Sequence, residues 1–364
     1  MNSKSRLVHR EPPPGSWPPE DLEVLGACPV CQCPDRTLLY TSLQDRTFFA
    51  APGNWQMWQC EHCSVGYLDP RPTKNSIGRA YAAYYTHAET PAVNNTRLQQ
   101  RGLISRVRQG LRNDFLNAQY GYHLRPIIWC GQFMVRAGLL KACNIGESIR
   151  HLPAPTAEHN RLLDIGSGGG SFVCFAQDVL GYEAEGLDFD PQAVEQSRAR
   201  SHIIHLGALP GSGLKPSSYD QITLHHVLEH LHNPVAALQE ALTLLRTGGR
   251  IWIQVPSLDG ASNAIFGVHS RLLEPPRHLI MFGVNNLKRL MEELGFMMVE
   301  QMPTPHLSRF VFLHSWAIAN GYNPLSVAWD DLPESLQDQS VAAERVHSGI
   351  APSTDTITLV GYKI

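Results

Sequence analysis

The sequence predicts a doubly wound α/β fold on a mainly parallel sheet, preceded by a small cysteine-rich module and a helical insertion. Three observations carry this expectation. From residue 161 onward, short apolar runs alternate with segments of helical period. The first run opens directly into a glycine loop, "RLLDIGSGGGSF" at 161–172. Well before it stand two Cys-x-x-Cys pairs, Cys28/Cys31 and Cys60/Cys63.

Taken in order, residues 1–26 are rich in proline and polar residues, which predicts a disordered or loosely attached leader. Residues 27–93 form the cysteine module and the segment after it. Two tight Cys-x-x-Cys turns present four thiolates at the corners of a tetrahedron, so Cys28, Cys31, Cys60 and Cys63 are expected to hold a structural zinc. Four thiolates close the coordination sphere and leave no place for a substrate; Cys33 is a spare. Residues 94–150 read as a helical insertion or lid, whose stretch 94–141 carries eight Lys/Arg against one acid, Asp114. There Ile104, Val107, Leu111 and Phe115 share one helical face, expected to meet the core, with Arg108 and Arg112 on another. The basic side is either a solvated face or a surface for anionic lipid or a phosphorylated, lipid-linked substrate, through 97–141.

Residues 151–364 form the main domain, entered through a linker at 151–160. Strands are expected at 161–166, 183–188, 202–207, 219–225 and 250–256, and helices at 171–180, 191–200, 234–245 and 285–294. Asp190-Pro191 and Asn233-Pro234 each supply a capping side chain and a first-turn proline. "LRTGG" at 245–249 is expected to end a helix on a left-handed glycine, and "TDTITLVGYKI" to give a last strand.

The chain has 364 residues, 43% of them apolar, with a formal net charge of −3, and gives no global reason to expect a polyanion partner. The N-terminus lacks the apolar core of a signal peptide, and the most apolar later stretch, 126–140, is broken by Arg136. Eight cysteines without an export signal point to thiols or metal ligands, and a cytoplasmic protein is expected.

The glycine loop by itself suits a dinucleotide or S-adenosylmethionine. Gly166-x-Gly168 is followed by Ser171 where the dinucleotide fingerprint places Gly or Ala, and no Lys-Ser/Thr follows to make a phosphate loop. Asp164, two residues before Gly166, would repel pyrophosphate and favour a ligand's ammonium or sulfonium side. Asp188, ending the second strand, is placed to grip two ribose hydroxyls, while Asp190 reads as a helix cap. Gly207 either admits an adenine edge or serves an ordinary turn.

The blocks "LLDIGSGGGSF", "GLDFDP", "YDQITLHHVLEHLHNP", "LRTGGRIWIQVP" and "LEPPRHLIMF" stand in the order seen in class I S-adenosylmethionine-dependent methyltransferases. The chain most resembles the branch carrying an N-terminal four-cysteine zinc module, to which "GYLDPRPTKNSIGRAYAAYY" is also similar. This resemblance implies a seven-stranded sheet with the last strand antiparallel. It also implies cofactor contacts at Asp164, Gly166, Gly168, Asp188 and His225, the end of the fourth strand.

Methyl transfer needs in-line alignment and, for hydroxyl or acidic carbon acceptors, a base, which adds about 10²–10⁴-fold. The candidates beyond the strand ends are His225, His226, Glu229 and His230 in "LHHVLEHL", and Arg277 and His278 in "LEPPRHL". His278 is expected as base or substrate ligand and Arg277 as an anion contact, each against a role in anchoring the loop. If 226–230 is helical, His226, Glu229 and His230 share a face. Ubiquinone-pathway O-methyltransferases resemble this block but carry glutamate in place of His226, and a divalent ion is proposed at their trio. Histidine there disfavours magnesium and leaves room for a softer ion. The expected acceptor, from resemblance, is a small molecule or glycan, with no nucleic acid; an RNA methyltransferase and a non-catalytic cofactor-binding protein are the alternatives. The module and insertion are expected to cover the pocket, so that removing residues 1–150 spares cofactor binding and abolishes methylation.

Overall fold

The computed structural model describes residues 7–81, 102–198, 202–304, 308–346 and 355–364. Residues 1–6 of the expected loose leader lie outside these, but residues 7–26 are not loose. Trp17 is buried, its indole donates to Ser76 Oγ at 3.4 Å and its ring meets Trp55 edge-on at 5.7 Å. Strand β1 (Leu22–Glu23) then pairs with β5 (Arg71–Pro72), tying the leader to the module. Proline content signals irregular backbone here, not detachment.

Between them, β2 (Arg36–Leu43), β3 (Trp55–Cys60) and β4 (Gly66–Leu68) make an antiparallel sheet. Its fourth strand comes from the far end of the chain: Ile280 and Met281 pair with Tyr67 and Gly66. The cysteine module is therefore built into the main domain by strand addition and shares one apolar core with it, running from Leu43 and Met57 to Ile253 and Phe282.

The insertion holds α1 (Leu103–Tyr120), α2 (Gly131–Arg136) and α3 (Ala142–Ser148); its first part, 94–101, lies outside the described residues. The expectation of a core-facing stripe along α1 holds only for its second half. Leu111 and Leu116 are buried, whereas Ile104 and Val107 are exposed. Gly110 and Gly131 are where α1 and α2 close on each other: a Cβ on Gly131 would stand 1.9 Å from the Leu111 carbonyl oxygen. From that crossing onward Leu116, Tyr122, Ile149 and Leu152 form a second core with Leu162, Val173 and Ala184. The expected linker thus begins as core.

The main domain follows as β6 (Arg161–Ile165), α4 (Ser171–Phe175), β7 (Glu183–Asp188), α5 (Pro191–Arg198), β8 (Ile204–Leu206), β9 (Tyr219–His225), α6 (Pro234–Leu244) and β10 (Leu245–Pro256). After these come α7 (Ala261–Phe266), β11 (Ile280–Met281), α8 (Val284–Glu293), β12 (Met297–Gln301), α9 (Ser308–Ala319), α10 (Glu334–Val346) and β13 (Thr356–Tyr362). The seven-stranded sheet runs β12-β13-β10-β9-β6-β7-β8, parallel from β10 to β8, with β13 antiparallel to both its neighbours. Strand order reverses at β6 and β9, and a crevice at their C-terminal ends is where ligands of open α/β sheets bind.

Two local expectations change. The helix after the glycine loop is α-helical only to Phe175 and widens into a π-turn over Ala176–Leu180 before Gly181 (φ +83°) ends it. "LRTGG" does not close a helix: α6 ends at Leu244, Leu245 is already extended, and Gly248 (φ +81°) sits in an irregularity of β10 between Leu245 and Arg250. The last strand is buried on both faces. Its Thr358 hydroxyl is satisfied by Gln254 Nε2 and Thr304 Oγ1, each at 2.9 Å, which allows a polar residue inside the sheet. The capping expectations hold: Asn233 Oδ1 accepts from Ala236 N and Asp190 Oδ1 from Gln192 N.

Candidate functional site

The crevice is framed first by the loop after β6. Gly166 (φ +69°) and Gly168 (φ +53°) both lie in the left-handed region, for different reasons. A Cβ on Gly166 would stand 2.3 Å from Val227 Cγ2, so this glycine lets the loop pack under the end of β9. A Cβ on Gly168 would meet nothing within 4 Å, so this glycine faces open space. Gly168 N donates to Asp188 Oδ2 at 2.7 Å, and Asp190 N donates to Asp188 Oδ1 at 2.9 Å. Burial pushes the Asp188 carboxyl up, and these backbone donors oppose it. Gly207 (φ +159°) follows β8, and its N–H donates to Asp188 O.

Asp164 is not the bare anion the sequence suggested. It is 1% exposed, and its Oδ1 is engaged by Arg150 Nη1 and by Thr223 Oγ1. Arg150 cancels the charge on which the argument against pyrophosphate leaned. Asp164 Oδ2, however, is buried without a hydrogen-bond partner, as is Ser167 Oγ on the loop. Two orphaned polar oxygens at a glycine-rich loop fit a ligand that brings donors.

The insertion supplies a wall. Arg150, in a left-handed turn (φ +52°) after α3, stacks over Phe172 at 3.6 Å and reaches Thr223 Oγ1 at 2.7 Å. Glu147 Oε1 lies 3.7 Å from His225 Nε2. The His225 ring stacks on Trp252 at 5.9 Å, and crowding by protein lowers its pKa while Glu147 opposes the shift. Removing residues 1–150 would therefore also take Arg150 from Asp164 and Glu147 from His225.

Beyond β9 the chain does not continue as helix. His226 takes a left-handed conformation (φ +54°), and only Leu228–His230 form a 3-10 turn. The strained turn still brings His226 Nδ1 to 3.2 Å from Glu229 Oε1. Glu229 is fully buried with Oε2 unpartnered; burial would raise its carboxyl, but the hydrogen bond from His226 and the other imidazoles hold it low. His230 Nδ1 lies 2.9 Å from the Arg277 carbonyl and 3.0 Å from the Tyr81 hydroxyl. A carbonyl only accepts, so the proton belongs on Nδ1 and Nε2 is the basic nitrogen, 3.9 Å from Glu229 Oε1. His278 packs edge-on against His230 at 4.9 Å, and donor atoms of Glu229, His230 and His278 all lie within 4.8 Å of one another.

The "LEPPRH" loop is a clamp. Arg277 is fully buried and donates to both carboxylate oxygens of Asp45 (2.7 and 3.1 Å), to Glu274 Oε1 (3.0 Å) and to the Ala80 carbonyl (2.9 Å). Asp45 also accepts from four backbone N–H groups, those of Thr47, Phe48, Ala50 and Ala51. Burial would raise the Glu274 carboxyl, but Arg271 and Arg277 hold it well below the usual range. Arg277 therefore anchors the loop to the cysteine module and is not open to a substrate anion. His278 is similarly enclosed: Nδ1 bonds the Leu272 carbonyl at 2.6 Å, and burial lowers its pKa to about 4. The side chain of His230 is 15% exposed and that of His278 8%.

In the module, Cys28 Sγ lies 3.5 Å from Cys63 Sγ and Cys31 Sγ 3.4 Å from Cys60 Sγ, without disulfides. Zn–S bonds of about 2.3 Å put tetrahedral sulfurs about 3.8 Å apart. The two turns match: Gln32 N donates to Cys28 O and Ser64 N to Cys60 O, with Gln32 and Ser64 both left-handed. Cys33 turns aside toward Asp35.

Sequence reasoning missed Tyr81, Glu147, Arg150, Trp252 and Phe189. Phe189 follows Asp188, is exposed, and meets Tyr81 edge-on at 5.9 Å. Tyr81 stood in a stretch already noted; Glu147 and Arg150 had no local signal, because their partners are brought to them only by the sheet.

Comparison with known proteins bears on the segment that carries this crevice. A family model described as a methyltransferase domain matches residues 141–301. The ubiquinone biosynthesis O-methyltransferase of Xanthomonas euvesicatoria pv. vesicatoria is 27% identical over 114 residues, 29% of this chain and 46% of the relative. That of Aeromonas salmonicida is 31% identical over 102 residues, 26% of this chain and 42% of the relative. The chain thus spans less than half the length of each. A SAM-dependent methyltransferase structure from Archaeoglobus fulgidus is 16% identical, covering 65% of this chain and all of that one, with a TM-score of 0.42. The glycine loop and the Asp188 carboxylate lie inside the matched segment, so residues 141–301 are a methyltransferase domain, carried on the seven-stranded sheet.

Proposed function

We propose that the protein transfers a methyl group from S-adenosylmethionine to a small-molecule acceptor, with a glycan as the alternative acceptor class. The observation that carries this reading is the crevice itself: Gly168 facing open space, Asp188 at the end of β7, and Asp164 Oδ2 orphaned near the end of β6. Asp164, Gly166, Gly168, Asp188, Gly207 and His225 would hold the cofactor, with Phe189 beside Asp188 as a further wall. When bound, it supplies an electrophilic methyl group, so this chain's task is alignment and proton handling. The names of the relatives support a hydroxyl acceptor.

His230 is the base in this reading. Of Glu229, His230, Arg277 and His278 it is the most exposed, its Nδ1 proton is fixed by the Arg277 carbonyl, and Nε2 is available to take a proton. The Glu229 carboxylate at 3.9 Å would stabilise the imidazolium that results. His278 and Arg277 position His230: one packs against its ring, the other holds its Nδ1 proton through the carbonyl and locks the loop to Asp45. Cys28, Cys31, Cys60 and Cys63 would hold a structural zinc that fixes the module.

Two measurements test this. Calorimetry with S-adenosylhomocysteine is expected to show binding to a single site. Incubation of cell extract small molecules with protein and S-adenosylmethionine is expected to yield products heavier by one methylene in mass spectra. No heat from well-folded protein with either nucleoside would overturn the reading.

A further inference from the structure

We propose that the outer end of the helical insertion is a docking face for an anionic lipid surface. Two properties coincide there. The described stretch 102–141 holds six Lys/Arg and one acid, a local charge of +5, in a chain whose total is −3; the remainder is therefore at −8. An anionic bilayer would repel most of this protein and attract this part.

The same stretch exposes large apolar side chains. Ile104 is 74% exposed and Leu103 78% on the first turn of α1; Trp129, just before α2, is 90% exposed and Phe133, in its first turn, 68%. The two groups belong to one packed unit. Ile128 N donates to Gly110 O at 3.1 Å, and Gln132 N to Asp114 Oδ2 at 3.2 Å, which pins the Trp129 and Phe133 segment along α1. Arg106, Arg108, Arg125 and Arg136 are exposed on this unit. Tryptophan and phenylalanine beside arginine is the composition of an interfacial contact: the rings enter the headgroup boundary while the guanidinium groups meet phosphates. No helix among the described residues is long and apolar enough to cross a membrane, so the contact is peripheral. The inner end of the same insertion carries Glu147 and Arg150 to the crevice, so the face lies on the element that walls the proposed site. This inference does not depend on the proposed methyl transfer.

The test is co-sedimentation of the full chain with vesicles of phosphatidylcholine alone, and of phosphatidylcholine with about one-third phosphatidylglycerol, a composition chosen for its negative surface potential. Binding is expected to the anionic vesicles and to fall at least about tenfold in high salt. R106E/R108E and W129S/F133S are each expected to lower it at least about tenfold, because both charge and insertion are needed. These side chains are exposed, and unchanged thermal unfolding would show that the variants remain folded. Absence of binding to anionic vesicles, equal binding to both vesicle types, or binding insensitive to both double variants would each overturn the proposal. So would self-association, read by light scattering, that W129S/F133S abolishes while vesicles are not bound; the face would then join two copies of this chain.

Discussion

Gly166 and Gly168 offer the sharpest test of how the loop is used, because the same substitution should do two different things two residues apart. Both glycines are left-handed, so alanine at either costs about 1–2 kcal/mol of backbone strain. At Gly168 the new methyl meets no atom within 4 Å, and stability should fall by no more than that strain. The methyl would instead enter the space where the cofactor is proposed to lie, and affinity for S-adenosylhomocysteine should drop by roughly tenfold or more, about 1.4 kcal/mol. At Gly166 the methyl would stand 2.3 Å from Val227 Cγ2, on a stiff β-branched side chain. Overpacking of this kind adds about 1–3 kcal/mol, so Gly166→Ala should be clearly the more destabilising. Val227→Ala should return part of that loss in the double variant, with a coupling of about 1–2 kcal/mol. Urea unfolding followed by circular dichroism gives the stabilities, and calorimetry gives the affinities. Equal destabilisation by the two alanines, with no relief from Val227→Ala, would refute the packing argument. Unchanged affinity in Gly168→Ala would refute the placement of the ligand.

Three further outcomes are expected. His230→Ala should lower turnover by about 10²–10⁴-fold with cofactor affinity nearly unchanged, whereas His278→Ala should lower it less; the reverse order in steady-state kinetics would return the base to His278. Asp45→Asn should destabilise by about 3–5 kcal/mol, because it leaves Arg277 and its backbone donors short of a partner in a buried site; a denaturant midpoint within error of the parent would contradict the clamp. Stability should be level above about pH 7 and decline as pH falls from about 6.5 toward 4. His151, His278 and His314 are buried with pKa values lowered to about 4, so the unfolded chain binds more protons in that window. Each such proton gives a slope of about 1.4 kcal/mol per pH unit. A stability profile flat from pH 7 to 5 would show that these rings are not held neutral.

The sequence by itself determined whatever is local. Alternating apolar runs placed β6, β7 and β9 within a residue or two, because strand and helix periods are written in consecutive residues. The spacing of two Cys-x-x-Cys turns was enough to predict that four sulfurs meet, and the Asp-Pro and Asn-Pro pairs marked the helix starts they cap. What only the tertiary structure decided are the pairings across distance. Arg277 and His278 read as an anion contact and a base or substrate ligand, since nothing nearby in the chain shows that Asp45, 232 residues away, takes the guanidinium. Asp164 looked unopposed, since Arg150 reaches it only after α3 packs under the sheet. Charge and acidity are set by what surrounds a group in space, and that surrounding is assembled from segments whose separation along the chain carries no signal of their meeting.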